Sequence, residues 1–272
     1  AVLSFLLAAF LCSIPYFDEK SELKFSVEAG YYDTPFSLEI EGAEGCRIFY
    51  TLDGSEPTVD SIPYDGAIWL EDASLHENVY SARTDTSTGF YGDLIGTYAS
   101  ENPGYRVPDV PVDKCNIVRA AAFDGDGNCV DSMEGSYFVG FGKKTGYDGM
   151  WTVSLITEPE NLFGYDKGIY VTGRIFDEYR ELLPKEDTPF RSCWWWWDAN
   201  YRSRGRDSER PAHVEIFDAA GQLLLSEDCG IRIQGRGSRG KTPKSLNVYA
   251  RAEYAGSGEF SEDIFGMGER PH

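Results

Sequence analysis

Between Lys24 and Phe141 the apolar positions fall in short alternating runs separated by turn residues. Phe36–Ile40 alternates, Arg47–Thr51 follows, and Asp53-Gly-Ser-Glu-Pro-Thr58 is a turn cluster. Ile117–Phe123 and Gly135–Val139 flank the turn Asp124-Gly-Asp-Gly-Asn128, the pattern of a hairpin. Short strands punctuated in this way predict a β-sandwich over residues 24–141. Glu71–Asp113 interrupts the series. It is rich in Gly, Asp and Pro and too long for an ordinary connection, so it is expected to be an inserted loop.

Residues 142–149 have the composition of a linker, and a second unit spans residues 150–272. Trp151–Ile156 predicts a strand, and Arg174–Leu183 a short helix closed by Pro184. Ala212–Asp218 and Gln222–Ser226 flank Ala219-Ala-Gly221 as a second hairpin. Gly230–Gln234 and Ser245–Arg251 alternate as further strands. The whole chain is thus expected to be mainly β: a sandwich followed by a β-rich α+β unit.

Residues 1–17 carry no charge. The segment is at the lower limit of a bilayer span and matches the apolar core of a signal peptide. A lipoprotein signal fits less well, because Leu11 before Cys12 is too large for such cleavage. A buried element of the fold is the plain alternative. Either membrane reading puts the remainder outside the cytoplasm, secreted or anchored at the cell surface. The chain opens without methionine and stops at His272 in mid-pattern, so truncation at both ends is expected.

Cys46, Cys115, Cys129, Cys193 and Cys229 are odd in number and widely spaced, without C-x-x-C. That argues for buried free thiols rather than a disulfide framework or structural zinc. The net charge of −20 disfavours nucleic acid and anionic lipid as partners. Residues 191–251 are the exception, with 11 Lys and Arg against 7 Asp and Glu. An anionic ligand would be sought there.

Asp124, Asp126 and Asn128 imitate the start of a calcium loop. Cys129 and Gly135 stand where an EF-hand needs Gly and a bidentate Glu, so a plain turn is expected. Gly235-Arg-Gly-Ser-Arg-Gly-Lys-Thr242 fits both G-x-x-x-x-G-K-[ST] and G-x-G-x-x-G. A P-loop requires a helix after the glycines. Here Leu246, Val248 and Ala250 alternate with Asn247, Tyr249 and Arg251, which is strand periodicity. A glycine loop between antiparallel strands is what protein kinases place over ATP phosphates. The plain alternative is a hairpin with a cationic tip.

Two resemblances sharpen these expectations. Ile48-Phe-Tyr-Thr-Leu-Asp-Gly-Ser-Glu-Pro-Thr58, Pro63-Tyr-Asp-Gly66 and Val118-Arg-Ala-Ala-Ala-Phe-Asp124 resemble the chitobiase/β-hexosaminidase C-terminal-type module. That resemblance implies an immunoglobulin-like sandwich without catalytic residues. Thr157-Glu-Pro-Glu-Asn-Leu-Phe163, Gly168–Gly173, Glu209–Asp218, Gly230–Gly240 and Pro243-Lys-Ser-Leu246 resemble the opening of the CotH family, atypical kinases named for a spore-coat protein. This second resemblance implies ATP and Mg2+ as cofactors and a protein substrate. It nominates Ser238, Arg239 and Lys244 for phosphate contact, with Arg232, Gly235 and Gly237 completing the nucleotide loop. The family's metal-binding and catalytic aspartates are expected later in the chain, so no catalytic or metal residue is assigned.

Trp194–Trp197 and the following Arg202, Arg204, Arg206 and Arg210 fit neither pattern. Packing against the first unit is expected of the indoles, with stacking on a sugar or base as the alternative. A non-catalytic surface module binding cell-wall or plant polysaccharide is the rival to the kinase.

Overall fold

The structure, a computed structural model, describes residues 23–42, 45–95, 106–144, 146, 147, 149–183 and 189–264. The apolar segment 1–17, Pro184 and residues 265–272 lie outside the described residues. Among the described residues no helix is long and apolar enough to cross a membrane.

The first unit runs β1 (Lys24–Phe25), β2 (Gly30–Tyr32), β3 (Phe36–Leu38), β4 (Ile40–Glu41), β5 (Arg47–Thr51), β6 (Ile62–Pro63), β7 (Ile68–Leu70), α1 (Gly92–Ile95), β8 (Asn116–Phe123) and β9 (Cys129–Val139). A five-stranded sheet in the order β2-β9-β8-β5-β6 forms one layer, and the pairs β1-β4 and β3-β7 form the other. Leu38, Ile40, Ile68 and Leu70 meet Val118, Ala120, Ala122, Tyr137 and Val139 between them. The chain is therefore mainly β and opens with an immunoglobulin-like sandwich.

Local chemistry explains the turns. Asp53 Oδ1 accepts from Ser55 N at 3.0 Å and from Ser55 Oγ at 2.6 Å. These Ser55 bonds hold the Asp53 carboxyl below its usual range. Asp124 Oδ1 accepts from the amides of Asp126 and Asn128, which closes the β8–β9 turn. The aspartate acts as a turn former there, as expected. The hairpin register sets Phe123 opposite Cys129, and among the described residues none of the five cysteines forms a disulfide. Only Cys229 is buried and Cys129, at the turn, is exposed, so the expectation of buried thiols holds for one of them.

The second unit adds β10 (Thr152–Ile156), α2 (Pro159–Phe163), α3 (Gly173–Arg180), β11 (Arg210–Phe217), β12 (Leu223–Gln234), β13 (Ser245–Tyr249) and α4 (Ala252–Ala255). Its sheet is antiparallel throughout, in the order β10-β11-β12-β13. The expected helix ends three residues short of Leu183. The two expected strands at 222–226 and 230–234 prove to be one strand of 12 residues. Its first part pairs with β11 alone, Gly230 and Ile231 pair with both neighbours, and Arg232–Gln234 pair with β13 alone, so a single strand carries both registers.

The two sheets lie against each other. Ala121 and Phe123 point away from the sandwich core, where they meet Phe49, and Phe138 packs on Phe217 at a centroid distance of 5.3 Å. Ser136 and Ser154 hydroxyls sit 2.7 Å apart, as do Tyr31 and Thr152 hydroxyls at 2.5 Å. A sheet covered on both faces needs apolar residues at both parities, which explains the run Ala120–Phe123. Glu215 is buried at this contact, and desolvation pushes its carboxyl above the usual range. His213 also lies here. Burial lowers its pKa, but hydrogen bonds to Asp228 and Glu134 outweigh that and raise it to about 9.

Candidate functional site

The glycine-rich turn sits where β12 hands over to β13. Ile231 and Ile233 face the core, whereas Arg232 and Gln234 face the other way. Gly235 breaks the strand at φ +112°, a conformation other residues rarely adopt. A single 3₁₀ turn over Gly237–Gly240 follows, and Ser245 pairs back onto Gln234. No helix begins near Lys241; the next regular element is β13. The turn is therefore a hairpin between antiparallel strands.

The nominated residues divide by where they point. Arg239 is buried and donates Nε to Gly235 O at 2.8 Å, Nη1 to Ser203 O at 2.9 Å and Tyr201 O at 3.2 Å, and Nη2 to Ile233 O at 2.5 Å. Burial, then the neighbouring arginines Arg204, Arg202 and Arg232, lower its pKa. Lys244 is buried too. Its Nζ donates to Arg239 O at 2.6 Å and Lys241 O at 3.0 Å, and lies 3.9 Å from the Tyr201 ring centroid. Burial pulls its pKa down to about 7. Both cations thus brace the turn from beneath through backbone carbonyls.

Ser238 is exposed, and its hydroxyl folds back against Gly235, where a Cβ would meet Oγ at 2.2 Å. Gly237 lies under Trp195 and Trp196, with Trp195 Cδ1 3.4 Å from the position of a Cβ. Arg232 spreads over the Tyr249 ring at 4.2 Å and sits 3.6 Å from Glu209 Oε2. Glu209 is buried among Arg206, Arg251 and Tyr254. Burial alone would raise its pKa, but Arg251 and the other partners pull it lower.

Other cations occupy the outer rim. Arg236 is exposed and stacks with Arg202 on the Trp196 ring, at 5.7 Å and 4.9 Å from its centroid. Arg204 Nη2 donates to Gly235 O at 3.3 Å, and Lys241 is exposed. The sequence pattern does not connect Arg202 and Arg204 with the glycine turn. The signal that could have joined them to the turn is their proximity in chain to the tryptophans that floor it.

Trp194–Trp196 lie in a 3₁₀ segment, Pro189–Trp196, and Trp197 follows it directly. Trp194 and Trp197 are buried with Ile95, Phe176 and Tyr201, while Trp196 is 41% exposed. The inserted loop supplies the remaining contacts. Ser87 Oγ donates to Gly240 O at 2.5 Å, Thr88 Oγ1 to Trp194 O at 2.7 Å, and Tyr201 OH to Thr88 Oγ1 at 3.1 Å. Segment 85–95 therefore holds the back of the glycine turn.

The exposed donor set of Arg236, Lys241 and Ser238 suits phosphate oxygens. For magnesium the described residues around the turn supply no carboxylate pair, since Glu209 is already held by arginines and a tyrosine.

A family model of the chitobiase/β-hexosaminidase C-terminal domain matches residues 27–87. The match stops inside the insertion, although β8 and β9 beyond it complete the same sheet. The searches of curated proteins and of solved structures found no match. Residues 27–87 are similar to that domain, which accounts for the first half of the sandwich.

Proposed function

We propose that the second unit is the β-rich part of a CotH-type kinase-like domain whose turn Gly235–Pro243 receives the phosphates of ATP. The observation that carries this reading is a glycine turn between adjacent antiparallel strands with an outer rim of Arg236, Lys241 and Ser238. Bound ATP and Mg2+ would supply the transferable phosphoryl group and its charge neutralisation. The chain's own part is to orient the phosphates with rim cations, while Arg239 and Lys244 keep the turn in shape. The substrate would be a protein outside the cytoplasm.

ATP titration calorimetry with and without Mg2+ tests this. One charge-assisted hydrogen bond contributes about 1.5–3 kcal/mol, so Arg236→Ala should weaken ATP binding about ten- to hundredfold. Arg236 and Lys241 are the informative positions, because they are exposed and their loss leaves the braces intact. An ATP affinity unchanged in Arg236→Ala and Lys241→Ala, or no ATP binding at all, would sink the reading.

A polysaccharide-associated module is the second reading. It is favoured by the matched sandwich domain at 27–87 and by the exposed Trp196 face between two guanidiniums. Retention on insoluble cell-wall or plant polysaccharide, lost in Trp196→Ala, would support it.

A further inference from the structure

Glu134 on β9, His213 on β11 and Asp228 on β12 bring their ligand atoms within 4.8 Å of one another. His213 Nδ1 lies 2.8 Å from Glu134 Oε1 and 2.9 Å from Asp228 Oδ1. On the other side of the ring, Nε2 is 2.9 Å from Ser226 Oγ. With Nε2–H donating to that hydroxyl, the Nδ1 lone pair and two carboxylate oxygens converge on one point. Three acceptors this close require a positive centre among them. A proton on Nδ1 meets the requirement in part, since one hydrogen must serve two oxygens. A divalent ion meets it for all three.

The spacing also fits. Imidazole nitrogen and carboxylate oxygen bind zinc at about 2.0–2.2 Å, which puts neighbouring ligand atoms about 3 Å apart. Ser226 plays the part of the outer partner that fixes a ligating histidine's tautomer. Arg119 Nε, buried and without a hydrogen-bond partner, stands 3.6 Å from Glu134 Oε2 and leaves Oε1 to face His213. Asp228 is 57% exposed, so solvent can complete the coordination. The group lines a cleft of about 400 Å³ between the sandwich and the second sheet.

We propose that Glu134, His213 and Asp228 form a zinc site that clips the sandwich to the second unit. One nitrogen and two oxygens favour zinc or a similar first-row ion over magnesium or calcium, which take oxygen ligands alone. The site is separate from the glycine turn and stands whether or not that turn binds ATP. Because Glu134 belongs to one unit and the other two ligands to the second, metal binding stabilises their contact by mass action.

The test uses the whole chain, stripped with a chelator and titrated calorimetrically with zinc chloride alone. One zinc per chain is expected, with a rise in melting temperature. Asp228→Asn, at an exposed position that leaves folding intact, should weaken zinc binding at least tenfold and abolish the melting shift. His213→Ala should do the same. A cobalt-loaded chain should show ligand-field absorption that Asp228→Asn changes. Absence of zinc uptake overturns the proposal. Uptake undiminished in both Asp228→Asn and His213→Ala also overturns it, leaving a histidine that shares a proton with two carboxylates.

Discussion

The Ser87 hydroxyl donates to the Gly240 carbonyl at 2.5 Å, across 153 positions of chain. Both residues are buried, so water cannot replace the bond. Ser87→Ala would leave the carbonyl without that donor, at a cost of about 1–3 kcal/mol. Urea unfolding measures the loss, and amide exchange at 237–243 should quicken with it. Unchanged stability and exchange would show that the insertion does not brace the turn.

Gly240 is fixed by packing. An added Cβ would meet Trp195 O at 2.6 Å and Trp195 Cα at 2.7 Å, both backbone atoms that cannot swing aside. Gly240→Ala should therefore destabilise by about 1–3 kcal/mol, the usual range for overpacking. Gly258, with nothing within 4 Å of its Cβ position, is the control. Gly258→Ala should leave the denaturation midpoint almost unmoved.

The pKa of Lys244 makes stability depend on pH. Burial lowers it from 10.5 to about 7 in the folded chain. Between those values the unfolded chain binds more protons, so stability rises with pH across that window. Below about 7 both states are charged and the burial cost is fully present. In Lys244→Met this contribution should vanish, leaving the opposite trend of His213, whose stabilisation is lost as pH rises toward about 9. Denaturant unfolding of both proteins from pH 6.5 to 10 gives the comparison, and parallel curves would refute it.

Neighbouring tryptophans should behave differently. Trp197 is 1% exposed and stacks on Phe176 at 6.2 Å. Trp197→Ala should cost about 3–5 kcal/mol, the range for deleting a large core aromatic. Trp196 lies at the surface under Arg202 and Arg236. Trp196→Ala should cost less than about 1 kcal/mol, since cation–π contacts at exposed sites contribute on that scale. Equal losses in thermal unfolding would contradict the burial difference.

Strand periodicity around Gly235–Thr242 was sufficient to distinguish a hairpin from a P-loop, because side chains alternate with a period of two. Leu246 and Val248 packing with Ile231 and Ile233 bear that out. The turn chemistry at Asp53 and Asp124 was legible for the same local reason: an aspartate bonds its own backbone two residues on. Which way the cations point was not legible. Arg239 and Lys244 read as phosphate ligands in a line of residues, yet carbonyls from Tyr201, Ser203 and Ile233 reach Arg239. Those carbonyls arrive from segments up to 38 positions away.

By itself the sequence determined the mainly β class, the sandwich and the hairpin form of the glycine turn. Each rests on neighbours in chain, on pleat periodicity and on turn residues. The tertiary structure alone decided that Thr86–Ile95 grips the turn, that Arg236 and Lys241 are its exposed cations, and that Glu134 meets His213 and Asp228. No local pattern encodes these meetings. They depend on how two sheets stack, and that is set by burial of apolar faces summed over both units.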